Sequence, residues 1–173
     1  MAQSTDPRAE KLWRMIKDID VAMLTTLHDG HLRSRPMWTL KPERFDGTLY
    51  FFTRRSSGKM DEIAHDDQVG LSYSDTKSQN YVSISGRAHI LPDRDRMRAL
   101  WREPMRTFFP KGLDDPELAL LCVTVEQADY WDSPSSAMVF LYGYAKAALT
   151  GTPPHPGDVQ HLDMRAPPST RPS

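Results

Sequence analysis

Residues 48–64 read TLYFFTRRSSGKMDEIA and change from strand-forming to helix-forming residues within one turn. The aromatic and apolar run at residues 49–52 suits a pleated, half-buried strand. Residues 56–58 then offer turn and N-cap chemistry, and apolar residues recur at helical spacing at Met60, Ile63 and Ala64. We therefore expect a strand that runs directly into a short helix.

The turn at residues 56–59 is a candidate site for a phosphate. Backbone N–H groups point outward at a helix start, the helix dipole favours negative charge there, and Lys59 adds a full positive charge. Arg54 and Arg55 flank the same turn. An ordinary capped helix with solvated basic residues would show the same local pattern, so this turn alone leaves both interpretations open.

Two further cations lie upstream, on a predicted hairpin. Residues 21–27 and 32–40 have strand composition and are joined by an Asp-Gly turn. Arg33 and Arg35 alternate with a serine, so both point to one face of the second strand and could converge on the phosphate site. Pro36 lacks a ladder donor, which predicts an edge, a bulge or a kink.

The order of elements favours an antiparallel barrel over a βαβ sheet, because five predicted strands follow one another with a single short helix between them. Gly86 interrupts the fifth of these strands and predicts a bulge or a close backbone approach. The expected fold class is mainly β (α+β), with short peripheral helices. The predicted helices cover residues 4–19 and 93–101, and later strands are predicted at 118–131 and 137–149, with a turn at 130–134.

Composition predicts one domain over residues 1–150 and a flexible tail over 151–173, which is rich in Pro, Ser and Thr. The net charge of -1 argues against a dedicated nucleic-acid or membrane-surface binder. The single cysteine, Cys122, suits a reducing compartment, and its apolar neighbours predict a small buried residue rather than a nucleophile. Without a membrane-spanning run or signal-peptide pattern, the expected location is cytoplasmic.

The chain carries no recognisable motif for protein-based catalysis or metal binding. We find no nucleophile elbow, Walker-type loop, Rossmann glycine fingerprint or HExxH pattern. His28 and His31 flank a turn, but no further residue completes a metal site at suitable spacing. If the protein is an enzyme, a bound cofactor therefore carries the chemistry.

Five strings in unbroken order resemble the FMN-binding split barrels related to pyridoxamine 5′-phosphate oxidase, and more closely the general stress protein 26 branch. They are VAMLTTLHDGHLRSRPMW, LYFFTRRSSGKMDEI, QVGLSYSD, YVSISGRAHIL and YWDSPSS. The resemblance implies an antiparallel split β-barrel of the FMN-binding type that holds FMN without a covalent bond. It also implies a homodimer with two cofactor sites at the interface, each built from both chains.

The resemblance also implies which residues contact the cofactor. The strand from Arg35 to Trp38 would lie along the flavin, and the turn ending at Lys59 would hold the phosphate, with Gly58 in place of the arginine that is usual in the family. The C-terminal arginine motif that pyridoxamine oxidases use for their substrate is absent. The complete set of expected contacts is Arg33, Arg35, Pro36, Met37, Trp38, Phe52, Thr53, Ser57, Gly58, Lys59, Tyr81 and Trp131.

The sequence therefore predicts an FMN-dependent oxidoreductase that acts on an unidentified small molecule, with no protein residue required as a general base. Three alternatives stay open. The protein could be a non-catalytic flavin carrier or sensor, or a reductase that uses F420 in the same barrel. A barrel that binds nucleic acid through the arginine-rich residues 94–106 would instead lack a chromophore and bind with strong salt dependence.

Overall fold

The computed structural model describes residues 6–131 and 159–165. The three α-helices are α1 (Pro7–Ile16), α2 (Gly58–His65) and α3 (Arg94–Leu100), and short 3-10 helices cover Glu103–Thr107 and Gly112–Asp114. The strands are β1 (Val21–His28), β2 (His31–Trp38), β3 (Thr48–Arg54), β4 (Gln68–Asp75), β5 (Asn80–Ile90), β6 (Leu118–Trp131) and β7 (Val159–Asp163). The predicted strand at residues 137–149 lies outside the described residues.

The described strands form one antiparallel sheet in the order β2-β1-β4-β5-β6-β3, and β7 also pairs with β6. The expected antiparallel architecture is therefore confirmed. β2 and β3 end the path of the sheet, and Leu40, just after β2, forms an isolated bridge with Tyr50 of β3. The sheet thus curls until its two end strands approach each other, without closing through a continuous ladder. Pro36 lies on the edge strand β2, as its missing N–H predicts.

Local sequence signals explain most of these elements. Asp6 accepts a hydrogen bond from the Arg8 backbone N–H at 2.9 Å and so caps α1. Asp29 and Gly30 have φ values of 49° and 75°, the positive range that a two-residue hairpin turn requires. Buried and exposed residues alternate along β1, β4 and β5, so one face of the sheet is in the core.

The described residues bury two apolar clusters. The larger one joins α1 to the inner face of the sheet, and the smaller one joins α3 and the 3-10 helices to β3 and β6. Cys122 is buried in the smaller cluster, as expected, and burial raises the pKa of its thiol to about 12. No helix among residues 6–131 and 159–165 combines the length and apolar character that crossing a bilayer requires.

β7 departs from the expected tail without regular structure. β3 pairs with β6 only as far as Thr124, so the second half of β6 would otherwise present an open edge, and β7 pairs there with residues 127–131. The pairing is supported by side chains, because His161 Nδ1 lies 2.6 Å from Asp129 Oδ1 and Leu162 packs against the larger cluster. β6 itself ends at Trp131, which confirms the strand predicted at residues 118–131.

Candidate functional site

A cavity of about 450 Å³ lies between β2 and the first turn of α2. It forms there because β2 and the turn after β3 belong to the two ends of the curled sheet. The structure therefore brings the cations of the hairpin to the turn at residues 56–59, the arrangement that the sequence left open. The lining residues are Arg33, Ser34, Arg35, Ser57, Gly58, Lys59 and Glu62.

Lys59 is held at the helix start by two hydroxyl groups. Its Nζ donates hydrogen bonds to Thr53 Oγ1 at 2.9 Å and to Ser57 Oγ at 3.1 Å. Burial, and then the positive charge of Arg35, lower the pKa of Lys59, whereas the negative charge of Glu62 raises it. The ammonium group thus lies in a partly desolvated position where an anion would favour its charged form.

Ser57 occupies the N-cap position of α2, but its hydroxyl does not cap the helix. The hydroxyl donates to the Arg54 carbonyl at 2.8 Å and accepts from Lys59. The backbone N–H groups of Gly58 and Lys59, at the first two positions of α2, have no acceptor inside the helix. Both residues line the cavity, and a Cβ at Gly58 would meet no atom within 4 Å. The first turn of α2 therefore offers N–H donors to an anion.

Glu62 is a site residue that the sequence analysis missed. It is 4% exposed, and its Oε2 accepts hydrogen bonds from Thr26 Oγ1 at 2.5 Å and from Arg35 Nη2 at 2.7 Å. Burial by itself would raise the pKa of Glu62, but the hydrogen bonds from Thr26 and Arg35 and the charge of Arg35 outweigh burial and lower the pKa. Only one feature of the sequence could have indicated Glu62. It follows Lys59 by three residues, and this spacing places the two side chains on one side of a helix.

The other expected contact residues on β2 and β3 lie outside the cavity lining. Arg35 and Met37 alternate with Pro36 and Trp38, so the two pairs point to opposite faces of β2. The Met37 side chain is buried in the larger cluster, whereas Trp38 is 50% exposed. The ring of Phe52 packs against the smaller cluster, with its centroid 5.7 Å from the centroid of the Trp101 ring. What these residues can share with one ligand is the backbone edge of β2, with which no other strand among residues 6–131 and 159–165 forms a ladder.

Tyr81 and Trp131 lie on the outer face of the sheet as direct cross-strand partners. If the pairing of β1 with β4 is continued by two residues, Val21 lies opposite Ser74. Together with the other strand pairings, this places five residues in one row across the sheet, namely Trp38, Val21, Ser74, Tyr81 and Trp131. All five are exposed, and four of them are large and apolar. Adjacent strands lie about 4.8 Å apart, so the row spans roughly 19 Å and its two tryptophans do not meet within one chain.

Comparison with known proteins agrees with this fold. Protein bli-3 of Neurospora crassa is 28% identical over 142 residues, which cover 76% of this chain and 68% of that protein. A Jannaschia sp. CCS1 protein assigned to general stress protein 26 superposes with a TM-score of 0.73 at 23% identity, covering 90% of this chain and 97% of its own. The general stress FMN/FAD binding protein of Xanthomonas citri gives 0.65 at 28% identity, covering 74% and 90%.

These neighbours confirm the split-barrel fold, and the X. citri neighbour agrees with the resemblance to general stress proteins. The family model described as pyridoxamine 5′-phosphate oxidase like matches residues 7–155, a range that contains every residue of the cavity. The chain therefore belongs to the pyridoxamine 5′-phosphate oxidase like family.

Proposed function

We propose that this protein binds FMN without a covalent bond and uses it as an oxidoreductase on a small molecule. The observation that carries the proposal is the charge of the cavity, where Lys59, Arg33 and Arg35 face one carboxylate, that of Glu62. Positive charges exceed negative ones by two, and a phosphate monoester carries about −1.5 to −2 at neutral pH. The residues present therefore fit the terminal phosphate of FMN.

Each part of the site would have a distinct role in holding the cofactor. Lys59, Ser57 and Arg35 would bind the phosphate by charge-assisted hydrogen bonds, together with the first N–H groups of α2. The ring system would lie along β2 towards Trp38, where the edge strand presents backbone donors and acceptors that no described strand pairs with. The Thr53 hydroxyl, next to Lys59, would orient the cofactor between phosphate and ring.

The chemistry would come from the flavin, which transfers a hydride or single electrons when bound. The residues around the cavity bind and orient rather than transfer protons, because its one carboxylate is already held by Arg35 and Thr26. The first turn of α2 and β2 would shield the phosphate end from water on two sides. The X. citri neighbour, described as an FMN/FAD binding protein, supports a flavin over other nucleotides.

The absorption spectrum of the purified protein tests this proposal. We expect a flavin spectrum near one cofactor per chain, release of FMN on denaturation, and rebinding of added FMN more tightly than of riboflavin or FAD. Mass spectrometry of the extract would identify F420 if that cofactor were bound instead. Turnover of reduced nicotinamide with oxygen would separate an enzyme from a carrier. A colourless protein that binds neither FMN nor F420 would contradict the proposal.

We also propose that the protein acts as a homodimer with the cofactor sites at the interface. A row of large apolar residues on the outer sheet face, including Trp38, Tyr81 and Trp131, is typical of a surface covered by another subunit. Trp131 of one chain lies too far along the row to reach the flavin beside its own Trp38, so the partner chain would supply it.

Replacing Trp131 by glutamate tests the dimer. Sedimentation analysis should give about twice the 19.8 kDa chain mass for the wild type and a monomer for Trp131→Glu, because a carboxylate would be desolvated at the interface. Phe108→Glu is the matched control, since Phe108 is exposed but lies outside the row, and it should remain dimeric. A wild-type monomer at micromolar concentration would contradict this proposal.

A further inference from the structure

Glu62 presents a problem for a phosphate site, because a buried carboxylate lines the cavity that would receive a dianion. We propose that Glu62 is a positioning residue that holds the Arg35 guanidinium in place for the phosphate. Arg33, which also contacts Glu62, moves from the carboxylate to the phosphate when the cofactor binds. This inference rests on the proposed FMN binding.

Arg35 is fixed by a closed set of hydrogen bonds. Its Nη2 donates to Glu62 Oε2 at 2.7 Å and its Nη1 donates to Thr26 Oγ1 at 2.8 Å, while Thr26 Oγ1 donates to the same carboxylate oxygen at 2.5 Å. One edge of the guanidinium group is therefore engaged by the protein. The remaining N–H groups of the fork stay available to the cavity that Arg35 lines.

Arg33 is held much less firmly. Its one contact with the carboxylate is a 3.3 Å hydrogen bond from Nη1 to Glu62 Oε1, and its side chain is 57% exposed, against 22% for Arg35. Because more than half of the Arg33 side chain is in contact with water, this single long contact holds it only weakly. The Arg33 guanidinium can therefore move from Glu62 to a bound phosphate at low cost, whereas Arg35 cannot.

The carboxylate is needed because three cations share a small cavity. Like charges this close disfavour each other, and the positive charge of Arg35 already contributes to the lowered pKa of Lys59. Without Glu62, Arg35 would face Lys59 and Arg33 with no counter-charge and would turn towards solvent. These side chains would then have to be ordered each time the cofactor binds, which would weaken its affinity.

The variant Glu62→Gln tests this inference, because it keeps the volume of the side chain and removes the charge. FMN and riboflavin affinities of the whole protein are compared, since their ratio isolates the contribution of the phosphate. We expect the ratio to fall about tenfold, as for the loss of one charge-assisted contact, while riboflavin affinity changes less than about twofold. A ratio that stays unchanged or rises would overturn the inference.

Two controls separate positioning from a general effect of charge or folding. Asp61→Asn removes an exposed carboxylate from the same helical turn, and the ratio should change less than about twofold. Adding Arg35→Met to Glu62→Gln should lower the ratio by less than a further twofold, because Glu62 acts through Arg35. A full additional loss in the double variant would show that Glu62 acts independently of Arg35.

A pH profile gives a readout that a purely structural role would not move. Phosphate binding needs the Lys59 cation and is lost as pH rises through the pKa of Lys59, which the charge of Glu62 raises. Glu62→Gln should therefore shift the alkaline loss of FMN binding to lower pH. The charged groups facing Lys59 are Arg35 and Glu62, with Arg33 on the same cavity wall, and His28 Nδ1 lies 3.8 Å from Glu62 Oε1.

If the Glu62→Gln variant does not fold, the variant Thr26→Val tests the same inference. This variant keeps the carboxylate but removes the hydroxyl that bridges it to Arg35, and the FMN-to-riboflavin ratio should still fall about threefold. An unchanged ratio in Thr26→Val would count against positioning. Failure of the wild type to prefer FMN over riboflavin would instead contradict the proposed function itself.

Discussion

FMN affinity should fall about 30- to 150-fold when Lys59 is replaced by alanine, which corresponds to a loss of about 2–3 kcal/mol for a hydrogen-bonded charge. Lys59 is the cavity cation held by the two hydroxyls of the turn, those of Thr53 and Ser57. Removing it takes away the central positive charge and the hydrogen bonds that the ammonium group donates to Thr53 and Ser57. The same change should leave riboflavin affinity nearly unaltered, because riboflavin has no phosphate.

Fluorescence titration of the cofactor-free protein with FMN and with riboflavin measures this effect. Lys59→Arg keeps the charge on a longer, planar group and should retain part of the affinity. Lys77→Ala is the matched control, since Lys77 is an exposed lysine in the turn after β4, outside the cavity lining, and should behave as the wild type. Equal FMN affinity in Lys59→Ala and Lys77→Ala would place the phosphate elsewhere.

Gly86→Ala should destabilise the protein by at least about 3 kcal/mol, or prevent folding, because the added methyl group has no space. A Cβ at Gly86 would lie 2.3 Å from the carbonyl oxygen of Thr124 and 3.2 Å from Val123 Cγ1. The nearest obstacle is backbone of the central strand β6, which cannot move without breaking its pairing with β3 and β5. The register shift between Ser85 and Gly86 occurs at the same point.

Urea unfolding of Gly86→Ala and Gly58→Ala makes a matched comparison. Gly58 begins α2 and a Cβ there would touch nothing within 4 Å, so alanine should be neutral or stabilise by up to about 1 kcal/mol. A Gly86→Ala protein with wild-type stability would show that the β5–β6 contact relaxes freely. The comparison also separates the effect of removing a flexible glycine from that of overpacking.

The sequence predicted the features that depend on local geometry. Strand period, the Asp-Gly hairpin turn, the edge position of Pro36 and the close approach at Gly86 each follow from the conformations that a few neighbouring residues allow. The cationic turn was located by the same means, because a hydroxyl-glycine-lysine sequence at a helix start has donors and charge built into it. Local chemistry alone could not choose between a phosphate site and a solvated cap.

The features missed from the sequence depend on contacts between distant segments. Glu62 resembles any helical glutamate until β1 and β2 place Thr26 and Arg35 against it. β7 forms in a segment of weak strand composition because β6 has an edge to pair with, and backbone hydrogen bonds do not depend on side-chain type. The Ser57 hydroxyl contacts Lys59 and the Arg54 carbonyl instead of capping α2, because the folded turn brings these groups within reach.

An antiparallel barrel and a basic turn could be predicted from the sequence, because side-chain alternation and turn chemistry act over a few residues. That the hairpin cations reach that turn, and that a buried carboxylate holds one of them, followed only from the folded chain. The reason is that curling the sheet brings its two end strands together, and the distance between residues far apart in the chain is set by that closure rather than by any local preference.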